Sequence, residues 1–133
     1  MANKKPEKLV EFAVLAYCKD VGWSVDVVDS KASFSKAAGV YKKNVTAAGF
    51  PDIVGNLPSG IAVFIELKAK GKLKTLKSHQ RMFLEEKLES NCFAAVVDSA
   101  ELLHNLNIGY LKYGALYLKM FIEDLTLPTD LPI

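Results

Sequence analysis

Apolar residues fall along the chain in short blocks separated by polar or glycine-containing stretches, and the spacing within each block predicts its conformation. Pro6 suits the first turn of a helix, where its missing N–H has no intrahelical partner to lose. The apolar-rich run from Leu9 through Val21 stops at Gly22, so residues 6–21 are expected to form a largely buried helix. Trp23 to Val28 carries β-branched residues at alternating positions and predicts a strand. From Asp29 to Gly49 the chain becomes rich in Ser, Ala, Gly and Lys, which predicts a basic loop with short regular structure near Phe34 and Tyr41.

Pro51-Asp52 opens a short strand to Gly55, Asn56 to Gly60 supplies Pro, Ser and Gly for a turn, and Ile61 to Lys68 is a second β-rich run; together they predict a β-hairpin. A lysine-studded loop follows from Ala69 to Lys77. Ser78 can cap a helix to about Ser90, with Met82, Phe83 and Leu84 inward and Glu85, Glu86 and Glu89 mainly outward. Phe93 to Val97 predicts a buried strand, and Ser99 caps a short helix to about Asn107. Ile108 to Ile122 alternates aromatic, aliphatic and Lys residues around Gly114, which predicts two final strands; the tail, with Pro128 and Pro132, is expected to be irregular. The order of elements predicts an α/β fold, a mixed β-sheet flanked by α-helices.

A chain of 133 residues, 50% of them hydrophobic, is the size of one domain with a real core. No apolar run is long enough to cross a bilayer, and the lysine-rich start leads into Glu7, Glu11 and Asp20, unlike a secretory signal. These features predict a soluble intracellular protein with no membrane partner. Cys18 and Cys92 lie far apart in apolar stretches without a CxxC or Cys/His cluster, which predicts packed, reduced thiols and neither a zinc site nor a disulfide framework. His79 and His104 are solitary, and a lone His is more often a surface or packing residue than a ligand.

Charge becomes informative only when mapped. Between Lys31 and Arg81 there are ten basic residues and two acids, whereas the remainder carries seven bases and thirteen acids. The two acids in the basic segment are Asp52 and Glu66. Such asymmetry predicts an electropositive face for a polyanion, with solvated lysine loops as the competing reading. Because alternate side chains of a strand share a face, Ile65 and Leu67 should point one way and Glu66 and Lys68 the other. With Asp52 at the start of the partner strand, the hairpin would bring two carboxylates and an ammonium together. Hard cations such as Mg²⁺ or Mn²⁺ take oxygen ligands, so Asp52, Glu66 and a backbone carbonyl, that of Leu67, would suffice to hold one beside a phosphate, with Lys68 orienting water or offsetting developing charge. An ordinary cross-strand Glu–Lys pair, worth about 0–1 kcal/mol, with Asp52 as a turn residue, explains the same spacing.

The choice between them is moved by a resemblance. Gly49-Phe50-Pro51-Asp52 followed by Phe64-Ile65-Glu66-Leu67-Lys68 resembles the G-x-PD…E-x-K signature of the PD-(D/E)XK nuclease superfamily. Glu7 on the first helix, Gly71-Lys72-Leu73, Gln80 at the opening of the next helix and Val96-Val97-Asp98-Ser99 resemble, in order, further motifs of its VRR-NUC branch, over roughly residues 7–106. The resemblance implies a PD-(D/E)XK-like fold and a Mg²⁺- or Mn²⁺-dependent endodeoxyribonuclease with Asp52, Glu66, Lys68 and Gln80 at its centre. Gln80 would hydrogen-bond near the scissile phosphate or water. Glu7, with Glu11 as its rival on the same helical face, would give a third carboxylate.

Lys42, Lys43, Lys70, Lys72, Lys74, Lys77 and Arg81 bracket the motif and would contact DNA phosphates, adding affinity rather than sequence choice. Stand-alone members of this family resemble Holliday-junction resolvases, which implies branched or four-way-junction DNA as substrate, a two-fold homodimer and a cytoplasmic or nucleoid-associated setting. A flap or nicking nuclease in repair or phage DNA processing, and a catalytically idle DNA-binding module, are the alternatives. The region 108–133, with Tyr110, Leu111, Tyr113, Leu116, Tyr117, Leu118, Met120 and Phe121, is the candidate dimerisation surface, against the competing reading of an ordinary core strand pair.

Overall fold

The computed structural model describes residues 6–28, 33–35, 40–42 and 49–125, with the side chains of 33–35 and 40–42 excepted. It is a mixed α/β structure in which one four-stranded sheet carries helices on both faces. The first helix, α1 (Pro6–Asp20), leads into strand β1 (Ser24–Val27); a small two-stranded ribbon, β2 (Ser33–Ser35) and β3 (Val40–Lys42), follows. The hairpin strands are β4 (Ile53–Asn56) and β5 (Ala62–Leu67), followed by helix α2 (Ser78–Glu89), strand β6 (Phe93–Val97), and helices α3 (Ala100–Tyr113) and α4 (Ala115–Leu125). The main sheet has the order β1-β4-β5-β6. β1 and β4 pair antiparallel, as do β4 and β5, while β5 and β6 run parallel across the α2 crossover.

Register sets which side chains meet. Val63, Ile65 and Leu67 lie opposite Phe93, Ala95 and Val97, all buried, and Phe93 packs edge-to-face on Trp23 and on Tyr110 of α3. The other face carries Phe64 opposite Ala94 and Glu66 opposite Val96, and it is this face that α2 meets. Leu84 and Leu88 of α2, and Leu118 and Ile122 of α4, are buried at helical spacing and join the same core. Among the described residues, no helix is long and apolar enough to cross a membrane.

The C-terminal region departs from expectation. Residues 108–122 form the end of α3 and most of α4, not two strands. Their alternation of aromatic, aliphatic and Lys residues favours strand locally, but Leu103, Leu106, Leu118 and Ile122 can be buried together only at a helical period, and packing overrides propensity. Gly114, at φ +76°, ends α3 after Tyr113, so this helix runs past Asn107 as well. Gly109 sits inside α3 because the Tyr117 ring of α4 lies against its α-carbon, in space that any side chain would occupy. The Ser99 cap is present, its Oγ accepting from the Leu102 N–H at 3.0 Å. At α2 the cap position belongs to Lys77 rather than Ser78, and Met82 points to solvent, 63% exposed, rather than inward. Cys18 is buried and Cys92 partly buried, both as free thiols, and burial pushes the Cys18 thiol up to about 11, which keeps it protonated and unreactive.

Gly55 is the tightest point of the sheet, since a Cβ there would lie 2.0 Å from the Ser24 carbonyl oxygen of the neighbouring strand. Backbone cannot swing aside as a flexible side chain can. Gly55→Ala is therefore expected to destabilise the fold by about 3 kcal/mol, the upper end of overpacking costs, read as a lowered midpoint in urea denaturation.

Candidate functional site

Asp52, Glu66, Lys68 and Gln80 come from β4's entry, β5's end and the first turn of α2, and the fold brings all four together. Asp52 is fixed through both backbone and side chain. Its carbonyl accepts the Val28 N–H at 2.8 Å, extending the β1–β4 ladder, and its Oδ2 accepts the Leu67 N–H at 2.8 Å. Leu67 thus enters the site by its amide, one peptide group from the carbonyl proposed as a ligand. The Lys68 N–H continues the parallel ladder by donating to Val97 O at 3.0 Å, which sets where its side chain leaves the sheet.

Gly49 explains how the Asp52 turn approaches α2. Its φ is +80°, and a Cβ would lie 2.5 Å from the carbonyl oxygen of His79, so only a residue without a side chain allows this contact. The turn before Asp52 is thereby seated on the backbone next to Gln80. Gln80 then uses its amide in three directions. Its Oε1 accepts from the Lys77 N–H and from Lys68 Nζ, both at 3.0 Å, and its Nε2 donates to Glu66 Oε1 at 3.1 Å.

Both acceptor positions of the Gln80 amide are therefore occupied within the protein. A phosphate can only accept, so the contact with a phosphate that the motif implied would use the second Nε2 hydrogen of the same amide. Glu66 and Lys68 do not pair directly; the amide stands between them and holds each on its own side. An exposed cross-strand ion pair is excluded by the burial of Glu66, which is 5% exposed.

That burial makes Glu66 the electrostatic anomaly of the molecule. Its Oε2 is buried and receives no hydrogen bond from a donor among the described residues, so the ionised carboxyl is left half-satisfied and only a protonated one can bond to Asp52. Burial first, then the charge of Asp52 and a hydrogen bond shared with it, push the Glu66 carboxyl up to about 9; Lys68 acts in the opposite direction and Glu7 adds to the rise. A buried carboxyl with one satisfied oxygen and one orphan, facing a second carboxylate, has the donor chemistry of a hard-cation site. A divalent ion fits these residues, since it would replace the proton that Glu66 otherwise keeps and give Oε2 its missing partner. Among the described residues, no group of three or more His, Cys, Asp or Glu side chains is gathered as a metal cluster, so protein oxygens would form only part of a shell.

Glu7 and Glu11 are separated by this electrostatics. Glu7 is exposed yet contributes to the Glu66 shift, whereas Glu11 pairs with Lys8 at 2.7 Å. Lys70, Lys72, Lys74 and Lys77 are exposed on the loop between β5 and α2. Arg81 is partly buried and lies 3.7 Å from Glu85. The Lys42 side chain and all of Lys43 lie outside the described residues. His79 is exposed, and His104 receives or donates a 3.0 Å hydrogen bond with the Tyr17 hydroxyl, away from the carboxylates. Asp98 is a residue that motif reading left without a role: its Oδ2 accepts the Gly71 N–H at 2.9 Å and ties the lysine loop to the end of β6. An acid immediately after an apolar strand, facing a basic loop, was the available signal.

Compared with models of known protein families and with the sequences of curated proteins, the chain matches none.

The pH dependence of stability follows from the Glu66 shift. Between its ordinary value of 4.5 and about 9, the folded state holds more protons than the unfolded state. In metal-free buffer, stability should fall as pH rises across that window. Glu66→Gln removes the titration, so the variant should exceed the parent by more than about 1 kcal/mol at pH 8.5, with the difference shrinking toward pH 4.5. Added Mg²⁺ should raise the parent's melting temperature and leave that of the variant unchanged; thermal melts across pH, with EDTA or Mg²⁺, read both effects.

Proposed function

We propose that this chain is a metal-dependent endodeoxyribonuclease of PD-(D/E)XK-like fold, hydrolysing phosphodiester bonds in branched DNA. One observation carries the reading: the buried, half-satisfied carboxyl of Glu66 beside Asp52, with Lys68 held alongside through Gln80. Ionised, Glu66 would leave this oxygen unsatisfied, and without a cation the carboxyl keeps its proton and shares it with Asp52; neither state is one that stability of the fold requires. Retention of the carboxyl beside a second acid and a tethered ammonium is explained by a bound cation and an anionic substrate. The motif order from Gly49 to Gln80 supports the same reading, as does the mixed sheet with β5 and β6 parallel.

In this reading Asp52 and Glu66 Oε2 hold Mg²⁺ or Mn²⁺, with the Leu67 carbonyl as a third oxygen and Glu7 acting from farther out. The ion supplies Lewis acidity toward the phosphoryl oxygen and lowers the pKa of water. The protein's own contribution is geometric. Leu67 N–H keeps Asp52 from rotating away, Gln80 leaves Glu66 Oε2 to the cation by occupying Oε1, and the same amide holds Lys68 Nζ where charge would build on the phosphate. Lys70, Lys72, Lys74 and Lys77 carry flanking phosphates, and a lysine-dominated surface reads shape rather than base sequence.

A two-fold homodimer suits a junction substrate, and α3 and α4 offer the surface. Tyr110, Leu118 and Phe121 are committed to the core, whereas Leu111, Tyr113, Leu116 and Met120 are each about 60–75% exposed. The dimer contact is assigned to those exposed positions, and sedimentation of Leu111→Asp against the parent tests it.

Purified protein and Lys68→Ala are to be incubated with labelled four-way junction, flap, duplex and single-stranded DNA, with Mg²⁺, Mn²⁺ or EDTA. Symmetric junction nicking that needs metal and falls at least about a hundredfold in the variant is the expected result. Cutting of another substrate would retain the nuclease and change its role; metal-independent binding without cleavage would leave a DNA-binding module. Gln80→Met should lower kcat by more than about tenfold while DNA affinity in Ca²⁺ stays within about twofold, separating a positioning amide from one that contacts the phosphate.

A further inference from the structure

Three phenylalanines lie beside the carboxylates without belonging to the buried core. Phe50 precedes Asp52 by two residues, Phe64 precedes Glu66 by two on the same strand face, and Phe83 follows Gln80 by one helical turn. Their rings meet edge-to-face, with centroids 5.1 Å apart for Phe50 and Phe83, 5.7 Å for Phe64 and Phe83, and 6.4 Å for Phe50 and Phe64. All three remain partly exposed, and only Phe64 packs against the core cluster. Phe50 and Phe83 chiefly extend this trio outward.

A cation completes the arrangement. Lys87 Nζ stands 5.2 Å from the Phe64 ring centroid and 5.1 Å from that of Phe83. An aromatic surface with an adjoining ammonium suits a flat, π-faced group attached to an anion, which is the description of a nucleotide. Two residues along a strand span about 7 Å, so a base on the trio would adjoin a phosphate at Asp52 and Glu66.

We infer that Phe50, Phe64 and Phe83, with Lys87, form a stacking platform for an unpaired DNA base next to the phosphate held at the carboxylates. A base inside a duplex already has both faces covered by its neighbours, so only an unpaired or extruded nucleotide can use the platform. This inference rests on the nuclease reading and deepens it: selectivity for branched or bulged DNA comes from a ring surface, while the lysine loop binds any backbone.

The test uses two duplexes of one sequence, one with a single unpaired 2-aminopurine and one fully paired around the same fluorophore, titrated with protein in Ca²⁺. Stacking on the platform should change the fluorescence of the unpaired base, and the bulged duplex should bind about tenfold tighter than the paired one. Phe50→Leu, which keeps an apolar side chain and loses the π-face, should remove about tenfold from bulge binding and leave duplex binding unchanged; Phe50→Trp should restore the preference. Equal binding of both duplexes without a fluorescence change by the parent protein, a measurement that needs no variant, overturns the platform, as does a Phe50→Leu loss equal on both. Metal-dependent cutting of DNA alongside such indifference would overturn the platform alone. No binding and no cutting of either DNA would overturn the nuclease reading with it.

Discussion

The structure depends most on the cost of burying the Glu66 carboxyl. A carboxylate withdrawn from water beside another carboxylate is unstable unless protonated or joined to a cation, and here the single Gln80 amide satisfies only one of its two oxygens. The surrounding fold keeps this arrangement in place. The parallel β5–β6 ladder anchors Lys68 through Val97, the Asp52 side chain is pinned by the Leu67 amide, and Gly49 lets the preceding turn lie on the first turn of α2. Each contact is ordinary; together they hold two acids, one amide and one amine at fixed separations.

Gln80 shows how helix chemistry and site chemistry share one side chain. As the third residue of α2 it bonds back to the Lys77 N–H, one of the donors left open at any helix start, and from the same oxygen it holds Lys68. A helix terminus is thereby coupled to the sheet's carboxylates. The loop between β5 and α2, with its exposed lysines, is held at its start by the β5–β6 ladder at Lys68 and by Asp98 at Gly71, and at its far end by the Lys77 N–H on Gln80. Among the described residues, a basic loop restrained in this way spends none of its lysine charges on ion pairs.

The two faces of the sheet divide the work. Val63, Ile65 and Leu67 against Phe93, Ala95 and Val97 supply the apolar burial that stabilises the fold. The opposite face carries Phe64 and Glu66 under α2, with Ala94, Val96, Leu84 and Leu88 buried in the same apolar cluster, and it is here that the buried carboxyl lies. Strand periodicity alone sends these two sets apart, so the stabilising face can remain dry while the other accommodates a charged group. α4 closes the core beside α2 through Leu118 and Ile122, which explains why the C-terminal third cannot be a detachable strand pair.

The sequence by itself determined the first helix, the strand at Ser24–Val27, the hairpin from Ile53 to Leu67, the helix at Ser78–Glu89, the buried strand at Phe93–Val97, the Ser99 cap and the association of Asp52 with Glu66 and Lys68. Those features follow from contacts within a few residues or across one tight turn, where period and turn chemistry suffice. Tertiary structure decided the rest. Residues 108–122 became helical because only a helical period buries Leu118 and Ile122 against α2 and β6, although their alternating aromatic, aliphatic and Lys residues favour strand. Likewise, nothing local reveals that Gln80 lies between Lys68 and Glu66, that Asp98 ties Gly71, or that Phe50, Phe64 and Phe83 meet. Those contacts join segments distant in sequence, and their partners are chosen by how the helix seats on the sheet, a property of packing that no single stretch of chain contains.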